Sequence, residues 1–139
     1  MSGELLADPW CRVASAATGN TLRFTRREND WIIDVGEHLG FCVECMWRIR
    51  TAAGIELVDT DDGQIFGLPA PVDAEASANG LVANAHLVEV ALDETTADLA
   101  FRLSNGSIVE VLSNSSGYES WQAYLGGELM AVGGGQGLR

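Results

Sequence analysis

The chain has 139 residues, of which 47% are hydrophobic and 20% charged, a balance that argues against intrinsic disorder and predicts one globular domain over residues 1–139. Its formal net charge of −12, from 20 acidic and 8 basic residues, argues against nucleic acid or an anionic membrane as a partner. No apolar run approaches the roughly 20 residues of a membrane-spanning helix, and the start lacks the basic and apolar segments of a secretory signal. We therefore expect a cytoplasmic protein.

The first third of the chain predicts a hairpin. Residues 1–9 are predicted to form a flexible N-terminal segment, and residues 10–17 are predicted to form a short strand or turn. Residues 21–25 and 31–35 each alternate apolar and polar side chains, which is typical of half-buried strands, and a short polar connection joins them. We expect the two runs to pair.

Residues 41–51 predict the clearest strand of the first half. The alternation is strict and places one set of side chains on the core face, namely Phe41, Val43, Cys45, Trp47 and Ile49. Asp62-Gly63 then predicts another hairpin turn, before a short strand at residues 64–66. Residues 73–82 predict the one helix, with Asp73 as its N-cap.

The second half predicts an antiparallel meander. The expected strands are residues 87–92, 99–103, 108–112, 119–125 and 129–132. Asn105-Gly106 is a strong hairpin signal and favours a type I′ turn, and the glycine-rich tail, residues 133–139, predicts a flexible end. The expected fold class is α+β, with a mostly antiparallel and strongly curved sheet, meander or barrel-like, and one short helix.

Two motifs suggest metal or redox chemistry, and each has a simpler structural explanation. Cys42 and Cys45 form a C-x-x-C, but strand alternation sends the two thiols to opposite faces, and an odd total of three cysteines suits a reducing compartment. The acidic run at residues 59–63 departs from the calcium-loop spacing and fits an Asp-Gly turn. We expect no metal and no cofactor.

The sequence offers no catalytic signature. His38 and His86 are the two histidines, neither stands in a nucleophile setting, and no G-x-S-x-G motif is present. Gly133 to Gly137 has no following helix that could help to bind phosphate. We predict no catalytic residues and favour a protein that is not an enzyme.

The candidate binding residues are aromatic or lie on the outer face of a strand. Tyr118, Glu119 and Trp121 enter a strand after a polar turn, and Tyr118 and Trp121 fall on opposite faces, so one of them belongs to the core and the other to the surface. An interface role and a purely structural role both remain open for this segment. Cys42 and Met46, together with exposed strand edges, indicate a homodimer.

The C-terminal third resembles a broad group of small, uncharacterised bacterial accessory proteins in which an N-G or D-G hairpin precedes a Y-E-x-W segment. The matching stretches are residues 88–93, 99–106, 108–112 and 118–121. Some of that group are immunity-type proteins, and others belong to mobile gene cassettes. The resemblance implies an accessory role without catalysis and supplies no catalytic residues.

Three functional hypotheses follow. The first is a binding protein, immunity-type, whose acidic surface suits a basic protein partner. The alternative is a small-molecule binding protein or enzyme with a pocket in the curved sheet, lined by tryptophans 10, 31, 47 and 121. The third is a self-associating structural module.

Overall fold

The computed structural model describes residues 8–139, and within them it has two α-helices, one short 3-10 helix (Asp59–Asp61) and eleven strands. The helices are α1 (Pro9–Ala17) and α2 (Ala74–Val82). The strands are β1 (Leu22–Arg26), β2 (Trp31–Val35), β3 (Leu39–Val43), β4 (Met46–Thr51), β5 (Gly54–Val58), β6 (Leu87–Leu92), β7 (Leu99–Leu103), β8 (Ile108–Leu112), β9 (Glu119–Leu125), β10 (Glu128–Gly134) and β11 (Gly137–Leu138).

The strands form two antiparallel sheets. The first sheet has the order β1-β2-β3-β9-β10-β11, and the second has the order β5-β4-β8-β7-β6. Aromatic rings join their inner faces: the centroid of Trp47 in the second sheet lies 4.8 Å from that of Phe24 and 4.9 Å from that of Trp31, both in the first. The α+β class and the antiparallel pairing are confirmed. The strongly curved or barrel-like sheet is wrong, because two open sheets bury their apolar faces against each other instead.

The predicted strand over residues 41–51 is divided between the two sheets. It breaks at Glu44 and Cys45, so that β3 lies in the first sheet and β4 in the second. The alternation continues across the break, and all five predicted core residues are buried. The inner faces of the two sheets cover the same core. The alternation of buried and exposed side chains therefore continues where the chain passes from one sheet to the other.

The stretch over residues 10–17, predicted as a strand or turn, is helix α1, so the expectation of a single helix is also wrong. Asp8 is its N-cap: the carboxylate accepts a hydrogen bond from the Cys11 N–H at 2.9 Å, and Pro9 occupies the first turn. The helix buries Val13 and Ala17 and packs against β6 and β10. Residues 1–7 of the predicted flexible N-terminal segment lie outside the described residues.

Helix α2, which was predicted, covers the edge of the first sheet at β1. Asp73 caps it by accepting from the Ala76 N–H at 3.1 Å. The Asn79 amide accepts from the Phe24 N–H at 2.8 Å and donates to the Phe24 carbonyl at 2.9 Å, as a neighbouring strand would. Glu75 accepts from the Arg26 N–H at 2.9 Å. Three backbone groups on the outer edge of β1 are therefore occupied and do not invite pairing with another chain.

The Asn105-Gly106 hairpin joins β7 to β8 as predicted, but its turn type differs. The Gly106 N–H donates to the Leu103 carbonyl at 3.0 Å, and Gly106 has a φ of +88°, whereas Asn105 is not in the positive-φ region. A type I′ turn needs positive φ at both central residues, so this is a longer hairpin loop that ends in a left-handed glycine. The Asn105 side chain instead accepts from the Ser107 N–H at 2.9 Å.

Two further predictions about loops and ends are wrong. Asp62-Gly63 does not join a hairpin to a strand at residues 64–66; these residues belong to a loop between β5 and α2. The glycine-rich tail is paired rather than free, because β10 extends to Gly134 and β11 folds back on it, with Gly134 opposite Gly137.

Candidate functional site

Two adjoining clefts form one groove where the chain passes from the first sheet to the second. Its lining holds six acids and three arginines, and the two clefts share Glu44 and Asn114. The first cleft, of about 400 Å³, is lined by Arg26, Arg27, Glu28, Asn29, Asp30, Trp31, Val43, Glu44, Cys45, Met46, Asp59, Thr60, Asp62 and Asn114. The second, of about 560 Å³, is lined by Glu44, Asn114, Ser115, Gly117, Tyr118, Glu119 and Arg139. We call the two together the end groove.

An ion pair in the β1–β2 turn forms one wall of the end groove. The Arg27 guanidinium donates to both carboxylate oxygens of Asp30, each at 2.7 Å, and so holds the pKa of Asp30 below its usual range. The Cys42 thiol donates to the same carboxylate at 3.1 Å. Burial, followed by the hydrogen bond to Asp30 and then by the charge of Asp30, raises the pKa of Cys42 to about 12, so this thiol is protonated at neutral pH and a poor nucleophile.

At the junction of the clefts, two exposed carboxylates accept hydrogen bonds from one buried amide. The Gln122 side-chain nitrogen donates to Glu44 at 2.6 Å and to Glu119 at 2.9 Å. The Glu44 backbone is fixed in turn, since its N–H donates to the Ser120 carbonyl at 2.8 Å. One amide thus holds two like charges side by side, facing solvent. This arrangement suits a cation that can accept both carboxylates as partners.

The aromatic ring of Tyr118, next to Glu119 in the sequence, is the most exposed large hydrophobic side chain of the described residues. Tyr118 is 81% exposed. Its loop is held by Ser115, whose hydroxyl accepts from the N–H groups of Gly117 at 3.2 Å and Tyr118 at 3.1 Å, and by Arg139, which donates to the Gly117 carbonyl at 3.1 Å. The ring therefore projects from a braced loop, where it could cover a cation held by Glu44 and Glu119.

Asp59 contributes a partly buried acid to the floor of the groove. Burial raises the pKa of its carboxyl above the ordinary value, although the backbone N–H groups of Trp47 and Thr60 oppose the shift. Its Oδ1 atom is buried and has no hydrogen-bond partner among residues 8–139. The fold therefore disfavours the charged form of this acid more than the unfolded chain does.

Asp59→Asn is expected to stabilise the protein by about 1 kcal/mol at pH 7, because it removes an ionised group that the fold desolvates. A raised folded-state pKa means that the unfolding free energy falls as the pH rises from the ordinary value of 3.8 through the folded-state value. The gain should vanish at pH 3, where Asp59 is neutral in both states. Urea unfolding at the two pH values measures it, with exposed Glu37→Gln as the control. A loss of stability at pH 7 would contradict the assignment.

The structure separates the five predicted binding residues. Tyr118 and Glu119 line the second cleft, and Met46 lines the first. Cys42 lies on the outer face of the first sheet, half-buried. Trp121 is fully buried, and its Nε1 donates to the Ala97 carbonyl at 2.7 Å. Tyr118 precedes β9 and is exposed, whereas Trp121 belongs to the core, so Trp121 could affect binding only by stabilising the fold. Cys42 and Met46 stand on different sheets.

Sequence reasoning missed Glu44, Gln122 and Asp59. Glu44 sits within the C-x-x-C, where the local signal points to the cysteines, and its partner lies 78 positions away. The strand alternation does predict Gln122 on the face opposite Trp121. A buried glutamine in a strand indicates a required hydrogen bond, and this signal could have led to the pair of glutamates.

The four tryptophans do not line a common pocket. Trp47 and Trp121 are fully buried, and Trp31 is 8% exposed. Rings pack against one another across the core, with Trp10 and Trp121 centroids 5.7 Å apart. The tryptophans therefore pack in the core and do not line a ligand pocket there.

Comparison of the chain with protein-family models, with curated proteins and with solved structures finds no match. No helix among residues 8–139 is long and apolar enough to cross a membrane.

Proposed function

We propose that this protein acts by binding and that its partner is a basic protein, which the end groove holds through Glu44, Glu119 and Tyr118. The observation that carries the proposal is the Gln122 amide, which fixes two solvent-facing carboxylates beside an exposed aromatic ring. Arginine is the side chain that best matches this chemistry, since it forms charge-assisted hydrogen bonds to carboxylates and stacks on aromatic faces.

The charge of the groove supports the same partner. Two of its three arginines are already paired with acids: Arg27 with Asp30, and Arg26 with Asp62 at 3.5 Å. Glu44 and Glu119 have no arginine partner among the described residues, and the formal charge of the whole chain is −12. A basic partner would be steered toward this surface, with an association rate that falls as salt is added. An immunity-type role, in which an acidic protein neutralises a basic toxin, fits this chemistry.

Glu44→Gln combined with Glu119→Gln is expected to weaken binding of the partner at least tenfold, because the amides keep the shape but lose both charges. The library for the test is a phage display of domain-sized fragments from the genome that encodes this chain, panned on the immobilised protein. We expect the enriched fragments to carry net positive charge, and their affinity for the wild type to fall between 50 and 300 mM salt.

The matched control is Glu37→Gln with Glu128→Gln, which makes the same charge change at two exposed residues outside the groove, one in a turn and one at the start of β10. Purified fragments should bind this control like the wild type. Enrichment of no basic fragment, or equal binding to both double variants, would refute the proposal.

A further inference from the structure

The loop between the end groove and helix α2 is apolar and exposed. Residues 64–72 carry no charged side chain in a chain that is 20% charged. Ile65, Phe66 and Leu68 are 55%, 67% and 50% exposed. Three large apolar side chains displayed within four residues are typical of an interaction surface rather than of scattered surface apolar residues.

Hydrogen bonds hold this loop in a fixed shape. At its base the Gly63 N–H donates to the Val72 carbonyl and the Val72 N–H to the Gln64 carbonyl, both at 2.8 Å. At its tip the Leu68 N–H donates to the Ile65 carbonyl at 2.7 Å, which closes a tight turn over Phe66 and Gly67. Val72 packs against the core. We call residues 65–68 the Phe66 turn.

The backbone of the Phe66 turn is strained at its most exposed residue. Phe66 has a φ of +49° and Gly67 a φ of +75°, the sign pattern of a type I′ turn. Positive φ is unfavourable for a bulky side chain, and Asn-Gly is the pair that such a turn prefers. The positive φ of Phe66 therefore lowers the stability of the fold, and the exposed ring recovers little of that loss by packing. Backbone strain that packing does not offset is typical of residues whose side chain serves a function.

The surroundings indicate which partner the Phe66 turn fits. Asp61 and Asp62 precede the loop and Asp73 follows it, and Arg26 pairs with both Asp62 and Asp73. Three acids against one arginine leave the base of the loop negative, so an anionic membrane would be repelled, whereas a basic protein would be attracted. Asp62 also lines the end groove, which makes the loop continuous with that surface. Exposed aromatic side chains that enter an apolar pocket dominate many protein interfaces, with charged groups around them.

We propose that the Phe66 turn is the apolar part of the same interface and that Phe66 inserts into an apolar pocket on the basic protein partner. This inference rests on the proposed function and names a second contact that the partner must make. The end groove then supplies charge recognition, and the turn supplies burial of apolar surface.

Phe66→Asn tests the inference, because asparagine suits the turn while removing the ring. The expected result is a melting temperature about 3 °C higher, together with at least tenfold weaker binding of the basic fragments recovered by panning. Leu129→Ser, which removes an apolar side chain of 51% exposure on β10, is the matched control and should bind like the wild type. A gain in stability that accompanies a loss of binding cannot result from unfolding.

The outcomes separate this inference from the proposed function. Fragments that are weakened by Glu44→Gln with Glu119→Gln but not by Phe66→Asn would overturn the inference and leave the groove intact. Fragments that depend on Phe66 but not on the two glutamates would overturn the proposed function. Phe66-dependent binding to neutral phosphatidylcholine vesicles, with unchanged binding of basic fragments, would assign the turn to a lipid surface and overturn the inference.

Discussion

Gly133→Ala is expected to lower the unfolding free energy by about 3 kcal/mol. A methyl group added at Gly133 on β10 would lie 2.5 Å from Nε1 and 2.6 Å from Cζ2 of Trp121, well inside van der Waals contact. The Trp121 ring cannot move aside easily. Its Nε1 donates to the Ala97 carbonyl, and it packs against Trp10 and Phe41, with a centroid distance of 5.8 Å to Phe41.

Trp121→Ala provides the test of this explanation in a double-mutant cycle. The single substitution Trp121→Ala should lower the unfolding free energy by about 4 kcal/mol, since it leaves a large cavity. In that background Gly133→Ala should cost less than about 1 kcal/mol, because the clashing ring is gone. Urea unfolding of the four proteins measures the coupling. Equal costs of Gly133→Ala in both backgrounds would show that the ring does not cause the effect.

Gly80→Ala serves as the control for the general effect of replacing glycine. Gly80 lies in α2, and a methyl group added there would meet no atom within 4 Å. Alanine favours the helix over glycine, so this variant should gain stability. If Gly133→Ala lowers the unfolding free energy and Gly80→Ala raises it, the difference between the two variants results from packing against Trp121.

Asn79→Ala is expected to lower the unfolding free energy by about 3 kcal/mol, the second large effect. It removes both side-chain hydrogen bonds to Phe24 and leaves a partly buried N–H and carbonyl unpaired. Alanine is the better helix former, so helix propensity opposes this loss. The variant also frees the edge of β1, and we expect concentration-dependent association in light scattering.

Ser77→Ala is the control for Asn79→Ala, since Ser77 is exposed on the same helix and its side chain makes no hydrogen bond within the described residues. It should change the unfolding free energy by less than about 0.5 kcal/mol. An Asn79→Ala protein as stable and as monodisperse as the Ser77→Ala protein would show that the amide does not protect the edge.

The turns show where local sequence misleads. Asn105-Gly106 is the pair that type I′ turns prefer, yet only its glycine has positive φ, whereas Phe66-Gly67, a pair that such turns disfavour, has it at both residues. Asn105 is drawn into a longer loop, where its side chain donates to the Leu81 carbonyl at 3.0 Å. Phe66 is held by the hydrogen bonds at the base of its loop, which involve residues up to Val72. Contacts beyond the turn therefore override its local preference in both places.

The candidate site was predictable only in part. Tyr118 and Glu119 stand out in the sequence because an aromatic and an acid follow a polar turn at a strand entry. Glu44 carries no such signal, and it becomes part of the site because β3 pairs with β9, placing Cys42 opposite Gln122. A pairing between distant strands cannot be read from either strand alone.

The sequence by itself determined which side chains face the core, because strand alternation has a fixed period of two and most of the predicted strands bury the expected face. It also determined helix α2, because Asp73 is a favourable N-cap. The start of α1 has the same kind of local signal, since Asp8 is its N-cap and Pro9 occupies its first turn. Only the tertiary structure decided that the chain changes sheets at Glu44 and Cys45, since inner faces that share one core impose the same pattern on both sides of the break. That crossing brings Glu44 to Gln122 and Glu119 and so creates the end groove.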